Sequence, residues 1–155
     1  MRKETHEGLE FEFRSRPLSR LTVDGNYTYL NRTIGTAVLP SGASISSALV
    51  LPTGIPKHAL VGNASVRLPY HVMGFVSARY LGGITLQDTS YPGTSSLYLP
   101  HGSAFATVDL GATIPIRERF NAQVGIKNAF DRMYYFTAGY PEEGRNWFLN
   151  LRYRF

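Results

Sequence analysis

Apolar and polar residues alternate along several stretches of this chain, with a period of two. In the final ten residues Trp147, Leu149, Leu151, Tyr153 and Phe155 take one parity, and the other parity is mostly polar. Successive side chains of an extended strand point to opposite faces. The pattern therefore predicts a β-strand with one apolar, aromatic face and one polar face.

Seven such strands are predicted, most of about ten residues, the length that crosses a bilayer at a tilt. They cover 8–16, 18–31, 58–68, 71–81, 104–114, 120–128 and 146–155. The connections alternate between short (16–20, 68–71, 115–119) and long (32–57, 82–102, 129–145). Outer-membrane barrels have short periplasmic turns and long extracellular loops. The chain is therefore predicted to be all-β, an antiparallel segment of a transmembrane β-barrel.

The alternation of short and long connections also predicts how the strands are oriented in the membrane. If the C-terminus lies in the periplasm, all the short turns do too, and aromatic residues collect at both ends of the strands, as interfacial girdles require. Tyr27, Tyr29, Tyr80 and Trp147 then lie near the outer ends, and Phe120, Tyr153 and Phe155 near the inner ends. Complete bacterial barrels have an even number of strands and at least eight. We therefore expect these strands to be part of a larger wall.

Composition narrows the class of protein. The chain is 43% hydrophobic and 17% charged, which argues against intrinsic disorder. No run of about 18 apolar residues predicts a spanning helix. The net charge of +5 is spread along the chain and is not clustered, so no nucleic-acid partner is expected. The first residues lack the apolar core of a secretion signal, so we expect no signal peptide in this chain.

Candidate chemistry is sparse. The four histidines are isolated in sequence and cysteine is absent, so neither a metal site nor a cofactor is predicted. No nucleophile elbow, phosphate loop or dinucleotide fingerprint occurs. An outer-membrane hydrolase would need converging acidic, Ser and His groups, and Asp88, His101 and the loop serines are too scattered to form such a site. We expect no enzyme and no catalytic residues.

The C-terminal motifs resemble those of a known family. VGIKNAFDRMYY is followed by GYPEEGRNWFLNLRYRF, and together they resemble the closing segment of TonB-dependent outer-membrane receptors. The resemblance rests on the residues of a turn, a loop and a final strand: Asn128, Ala129, Phe130 and Asp131, then Tyr134, Tyr135, 139–141, Gly144 and Arg145, and last the aromatic end at 153–155. Upstream, GLEFEFRSRPLSRLTVDGNYTYLN, IPKH and SARYLGG look like preceding strands of the same family.

The resemblance implies a barrel of about 22 strands, plugged by an N-terminal domain. Residues 1–155 would be its C-terminal part, without the plug domain, the TonB-contacting segment and the signal peptide. Such receptors import ferric siderophores, haem or cobalamin, and the identity of this ligand is left open. The implied partners are outer-membrane lipids and, through the missing N-terminal parts, the TonB complex. The alternative is a small self-contained outer-membrane barrel with a structural or adhesive role.

Two sets of candidate site residues follow. Leu151, Tyr153 and Phe155 resemble the C-terminal signal that the barrel-assembly machinery recognises, although any lipid-facing final strand needs apolar residues there. Tyr91, Tyr98 and His101 lie in a predicted extracellular loop and are candidates for ligand contact. By parity, the predicted lumen face also carries cationic residues, namely Arg67, Arg79, Lys127, Arg152 and Arg154.

Overall fold

The computed structural model describes residues 4–34, 37–38, 44–45, 55–88, 97–102, 104–137 and 140–155. Its strands are β1 (Glu4–Leu18), β2 (Leu21–Ile34), β3 (Ala37–Val38), β4 (Ser44–Ile45), β5 (His58–Arg67), β6 (Met73–Leu81), β7 (Ile84–Asp88), β8 (Leu97–Gly102), β9 (Phe105–Arg117), β10 (Phe120–Lys127), β11 (Tyr135–Thr137), β12 (Tyr140–Pro141) and β13 (Asn146–Tyr153). No helix in these ranges is both long and apolar enough to cross a membrane.

One antiparallel sheet of seven strands organises the chain, in the order β1-β2-β5-β6-β9-β10-β13. Each strand of this sheet pairs with the next along the chain, so the sheet is an up-and-down meander. The remaining strands form the two-stranded hairpins β3-β4, β7-β8 and β11-β12. Each hairpin lies within one of the long connections. The predicted all-β class and the seven strands are confirmed.

Some strand limits differ from the prediction. β9 continues to Arg117, so Pro115 lies inside the strand, opposite Asn121, and the turn comprises only residues 118–119. A proline has no N–H to donate, and the pairing register shifts next to this position, between Phe120 and Asn121. At the other end of the chain, β13 stops at Tyr153, two residues before the terminus.

The strand register joins the apolar residues into rows across the sheet. One row runs through Val23, Ala64, Val76, Leu110 and Ile126, each opposite the next, and ends at Trp147. Many of the large side chains on this face are exposed: Leu110 is 38% and Trp147 77% accessible. A folded sheet that exposes so continuous an apolar face needs an apolar surrounding, which the hydrocarbon of a bilayer supplies.

The opposite face is mainly polar. Asp24, Asn63, Ser77 and Asp109 form one row across β2, β5, β6 and β9. The Asn63 side-chain amide donates to Asp24 Oδ2 at 2.9 Å, and Ser77 Oγ donates to Asn63 Oδ1 at 2.8 Å. These hydrogen bonds link the side chains of three neighbouring strands. The predicted division into an apolar lipid face and a polar lumen face is thus present in the register.

Two phenylalanines interrupt the polar face. Phe75, Gly111, Gly125 and Phe148 stand opposite one another in a single row. A Cβ atom built on Gly111 would collide with the Phe75 ring, and one on Gly125 would lie 2.6 Å from Phe148 Cζ. The glycines therefore leave the space that the two rings fill. This arrangement explains why glycine occupies the middle of two spanning strands.

Replacement of Gly111 by valine is expected to destabilise the folded sheet by about 1–3 kcal/mol, because the added atoms overpack against Phe75 and the backbone of Val124. Urea unfolding in detergent measures the loss. Gly62→Val is the matched control, since a Cβ at Gly62 meets nothing within 4 Å. Combining Gly111→Val with Phe75→Ala should restore part of the stability. Equal losses for Gly111→Val and Gly62→Val would contradict this account of the row.

Candidate ligand site at the outer end of the sheet

Asn128 fastens the last long loop to the wall. It follows β10 directly, is only 4% exposed and has a φ of 48°. Its backbone N–H donates to Asp109 Oδ1 at 2.8 Å. Its side-chain amide donates to the carbonyls of Arg132 at 2.8 Å and Glu143 at 3.3 Å, and its Oδ1 accepts the Arg132 N–H at 2.9 Å. One side chain thus holds both ends of the loop.

Asp131 also holds this loop in place. We call the hydrogen bonds of Asn128 and Asp131 within the loop the clasp. The φ of Asp131 is 54°, its N–H donates to the Asn128 carbonyl at 2.8 Å, and its Oδ1 accepts the Arg145 N–H at 2.8 Å. Asn and Asp tolerate this left-handed backbone conformation better than most residues. A Cβ on Gly144 would lie 2.8 Å from the Asp131 carboxylate, so glycine allows this carboxylate to lie close to the backbone. The Asn-Ala-Phe-Asp motif therefore has a structural role.

Aromatic side chains pack this loop against its neighbours. Phe105, only 4% exposed, stacks on Tyr134 with ring centroids 4.3 Å apart. Phe136 meets Phe105 and Tyr134 edge-on, each at 5.7 Å. β11 also lies against β7, whose first residue, Ile84, is 3% exposed. The outer ends of the strands thus carry a small apolar core that supports the loops.

A polar hollow of about 310 Å³ opens beside this core, on the polar face of the sheet. Both signs of charge line it: Arg79 and Lys127 come from the wall, and Asp109, Glu142 and Glu143 are the acids. The other lining residues are polar too, namely Ser77, Thr107, Asn128, Tyr134 and Asn146. The hollow thus offers donors and acceptors to an oxygen-rich polar ligand and has little to offer an apolar one.

Tyr134 contributes a phenol to the hollow. Burial raises the pKa of this phenol above its ordinary value, and the negative charge of Glu142 adds to the rise. The group therefore stays protonated at physiological pH and remains a hydrogen-bond donor. A donor at this position suits an anionic or carbonyl oxygen on a ligand.

The predicted loop contacts are only partly described. Tyr91 lies outside the described residues, and Tyr98 and His101 belong to β8, of which the backbone alone is described. Ligand contact by these three residues stays a prediction. Among the described residues, no group of His, Cys, Asp and Glu could hold a metal ion. His58 instead shares a hydrogen bond with the Tyr27 hydroxyl, at 2.8 Å.

The C-terminal candidates lie together on the apolar face. Leu151 is 60% and Tyr153 54% exposed, and Phe155 is fully exposed. The rings of Tyr153 and Phe155 meet edge-on with centroids 5.2 Å apart. All three side chains are therefore accessible to a binding partner. Their recognition by the barrel-assembly machinery stays a prediction.

Sequence reasoning placed Arg79 and Lys127 on the correct face but did not single out the hollow. It missed Glu142 and Glu143, which come from the loop, and the buried ring of Phe105. The sequence did contain one indication of this loop structure. Asn128 and Asp131 lie three residues apart, and both residue types favour turns. That signal marks a structured loop without saying what the loop approaches.

Comparison with protein families gives a match over most of the chain. The family model described as TonB dependent receptor-like, beta-barrel matches residues 2–129. The match covers the strands from β1 to β10 and stops at the clasp that Asn128 begins. No curated protein matches the chain.

Solved structures with the same fold include three bacterial receptors. The siderophore receptor PiuA from Acinetobacter baumannii gives a TM-score of 0.71 at 19% identity, over 97% of this chain and 22% of that one. The ferric-catecholate import receptor Fiu from E. coli K12 gives 0.73 at 22% identity, over 99% and 21%. The ferripyoverdine receptor of Pseudomonas aeruginosa gives 0.72 at 21% identity, over 97% and 19%.

The chain thus spans about a fifth of the length of these receptors, and it matches a portion of their barrel walls. Its sheet, its loop parity and its two faces agree with that placement. Bacterial outer-membrane location follows for a wall of this kind. The chain belongs to the family of TonB-dependent receptor-like β-barrels.

Proposed function

We propose that these strands are part of a receptor that binds an iron–siderophore complex at the outer face and imports it. The observation that carries the proposal is the polar hollow on the lumen face, framed by Arg79, Lys127 and Tyr134 beneath a clasped loop. Siderophore complexes are rich in oxygen, and Arg79, Lys127 and Tyr134 offer hydrogen-bond donors to such oxygens. Three structural neighbours are named for siderophores, ferric catecholate and ferripyoverdine, which favours this ligand class over haem or cobalamin.

The remaining parts of the transport machinery are proposed from the family. We propose that residues 1–155 act within a longer chain that supplies a plug domain, a signal peptide and the contact with the TonB complex. Support comes from the seven-stranded sheet. Its two edge strands, β1 and β13, do not pair with each other. Unpaired backbone groups in hydrocarbon cost several kcal/mol each, so the wall needs further strands. This also disfavours a small self-contained barrel.

Uptake of a radioactively labelled metal tests the ligand class. Cells that express the full receptor are given one of four compounds: the ferric complex of 2,3-dihydroxybenzoate, ferrioxamine or haem, each labelled with radioactive iron, or cobalamin labelled with radioactive cobalt. We expect uptake of a siderophore-type complex, and a severalfold rise in its apparent Kd when Arg79 and Lys127 are both replaced by glutamine. Asn121→Gln, on the same face at the inner end, is the control. Uptake of haem or cobalamin alone would refute the siderophore proposal.

Recognition by the barrel-assembly machinery is proposed for the exposed Leu151, Tyr153 and Phe155. Deletion of Phe155 from the full receptor is expected to lower its amount in the outer membrane severalfold, because the last aromatic of the signal is lost. Quantitative immunoblotting of outer-membrane fractions measures the effect. Phe130→Ala removes another exposed ring, from the outer loop, and should leave the amount unchanged. Equal amounts of the deletion variant and the parent would reject this role.

A further inference from the structure

The polar hollow at the outer end brings together charges of both signs that are not paired with one another. Arg79 and Lys127 are its cations, and Asp109, Glu142 and Glu143 are its acids. Within the described part of the chain, none of these five side chains is in an ion pair, although all of them line one space of about 310 Å³. Each sign of charge can therefore bind a complementary group on a ligand.

Two of the three acids of the hollow are already engaged within the chain. Asp109 Oδ1 accepts the Asn128 N–H at 2.8 Å. Glu143 Oε2 accepts the side-chain amide of Asn146 at 3.1 Å. The Glu142 carboxylate, by contrast, accepts no hydrogen bond from any residue that the structure describes. Glu142 is therefore the acid of this hollow that is available to a ligand.

The two cations lie on the wall, whereas Glu142 lies on the last long loop. Arg79 belongs to β6 and Lys127 to β10, with β9 between them, so at the usual strand spacing their backbones are at least about 10 Å apart. The Glu142 N–H donates to the Tyr134 carbonyl at 2.9 Å. Burial is the main cause of the raised pKa of the Tyr134 phenol; the Glu142 carboxylate adds to the rise and the Arg79 guanidinium opposes it. Opposite charges therefore lie close to the same hydroxyl.

We propose that the polar hollow selects a siderophore complex that carries a free ammonium group in addition to its iron-binding oxygens. The wall cations and the Tyr134 hydroxyl donate to the oxygens, and Glu142 accepts from the ammonium group. The inference rests on the proposed function and narrows its ligand class. A purely anionic complex fits less well, because three acids against two cations leave the described lining without net attraction for an anion.

Two forms of one ligand test the proposal. Ferrioxamine B ends in a free amine, which is protonated at neutral pH. Acetylation of that amine removes the charge and leaves the iron-binding oxygens in place. Binding of both ferric complexes to the full receptor in detergent is measured by isothermal titration calorimetry. We expect ferrioxamine B to bind about three- to tenfold more tightly than its N-acetyl form, the range for one charged hydrogen bond at a partly hydrated site.

Replacement of Glu142 assigns the difference to one side chain. Glu142→Gln removes the negative charge and keeps the size of the side chain. It should weaken the binding of ferrioxamine B about three- to tenfold and leave that of the N-acetyl form unchanged, so that the two affinities become equal. Glu118→Gln is the matched control, since Glu118 lies in the turn between β9 and β10, at the other end of the sheet. That variant should keep the full difference between the two ligands.

Failure of this inference is distinguishable from failure of the proposed function. Equal affinities of the parent receptor for the two forms, or a difference that Glu142→Gln leaves in place, would overturn the selection of an ammonium group while siderophore binding stands. Tighter binding of the ferric complex of 2,3-dihydroxybenzoate than of ferrioxamine B would overturn it as well. Absence of binding by all three complexes, together with uptake of haem or cobalamin, would instead reject the proposed function itself.

Discussion

Replacement of Val124 by arginine is expected to cost the folded receptor about 2–4 kcal/mol, the penalty for a cation at the lipid midplane of a barrel. Val124 lies in the middle of β10, opposite Ala112 and Leu149, on the apolar face. It is 37% exposed on that face, so a longer side chain there would reach into the lipid. Equilibrium unfolding in guanidinium, with the receptor refolded into phosphatidylcholine vesicles, measures the loss.

Gln123→Arg is the matched control for Val124→Arg. Gln123 is the preceding residue of β10, stands opposite Asn150 and Thr113, and borders a polar hollow on the other face. The same arginine there should change the free energy of unfolding by much less, because water reaches the lumen. If both substitutions cost the same, the assignment of the two faces is wrong.

Loss of the Asn128 side chain is expected to have the second large effect. Asn128→Ala removes the partner of the Arg132 N–H and of the carbonyls of Arg132 and Glu143. Each hydrogen bond of this kind contributes about 0.5–1.5 kcal/mol, and three are lost together. Alanine is also disfavoured at a φ of 48°. We expect a loss of at least about 2 kcal/mol in local stability, and a loop that is cut by protease far faster.

Ligand affinity provides the second measurement on Asn128→Ala. The clasp holds Glu142 and Glu143 at the edge of the polar hollow, so release of the loop should weaken ligand binding about tenfold or more, which is about 1.4 kcal/mol. Asn150→Ala removes an asparagine from the polar face of β13 without touching the clasp. It should leave protease sensitivity of the loop and affinity near the parent values. An intact loop in Asn128→Ala would show that the clasp is dispensable.

Much of the fold was predictable from the sequence because a membrane wall obeys two simple rules. Lipid on one side and water on the other impose a period of two, and short inner turns alternate with long outer loops. The strand limits were less accessible. Pro115 suggested a break, yet β9 absorbs it where the register shifts near the end of the strand. The hairpins β7-β8 and β11-β12 were not predicted either, since their strands are too short or too irregular to show a clear period.

The candidate site was predictable only in part. Parity alone placed Arg79 and Lys127 on the lumen face, and the resemblance drew attention to Asn128 and Asp131. The hollow itself depends on the conformation of residues 128–145, which the clasp and the stacking of Tyr134 on Phe105 determine. Such contacts join residues far apart in sequence, so no local pattern predicts them. The hollow that Arg14, Arg16, Arg20 and Arg67 line at the short-turn end likewise appears only when β1, β2 and β5 are brought side by side.

The most direct test of the central claim, that this sheet is a membrane wall with one lipid face, is a scan of β13. The chain has no cysteine, so single cysteines at positions 146–153 can be spin-labelled in a receptor kept otherwise free of cysteine. Collision with oxygen, which concentrates in lipid, is compared with collision with a water-soluble nickel chelate. We predict strict alternation, with labels at 147, 149 and 151 in lipid and those at 148, 150 and 152 shielded from it. Uniform access of the nickel chelate to both parities would contradict the account.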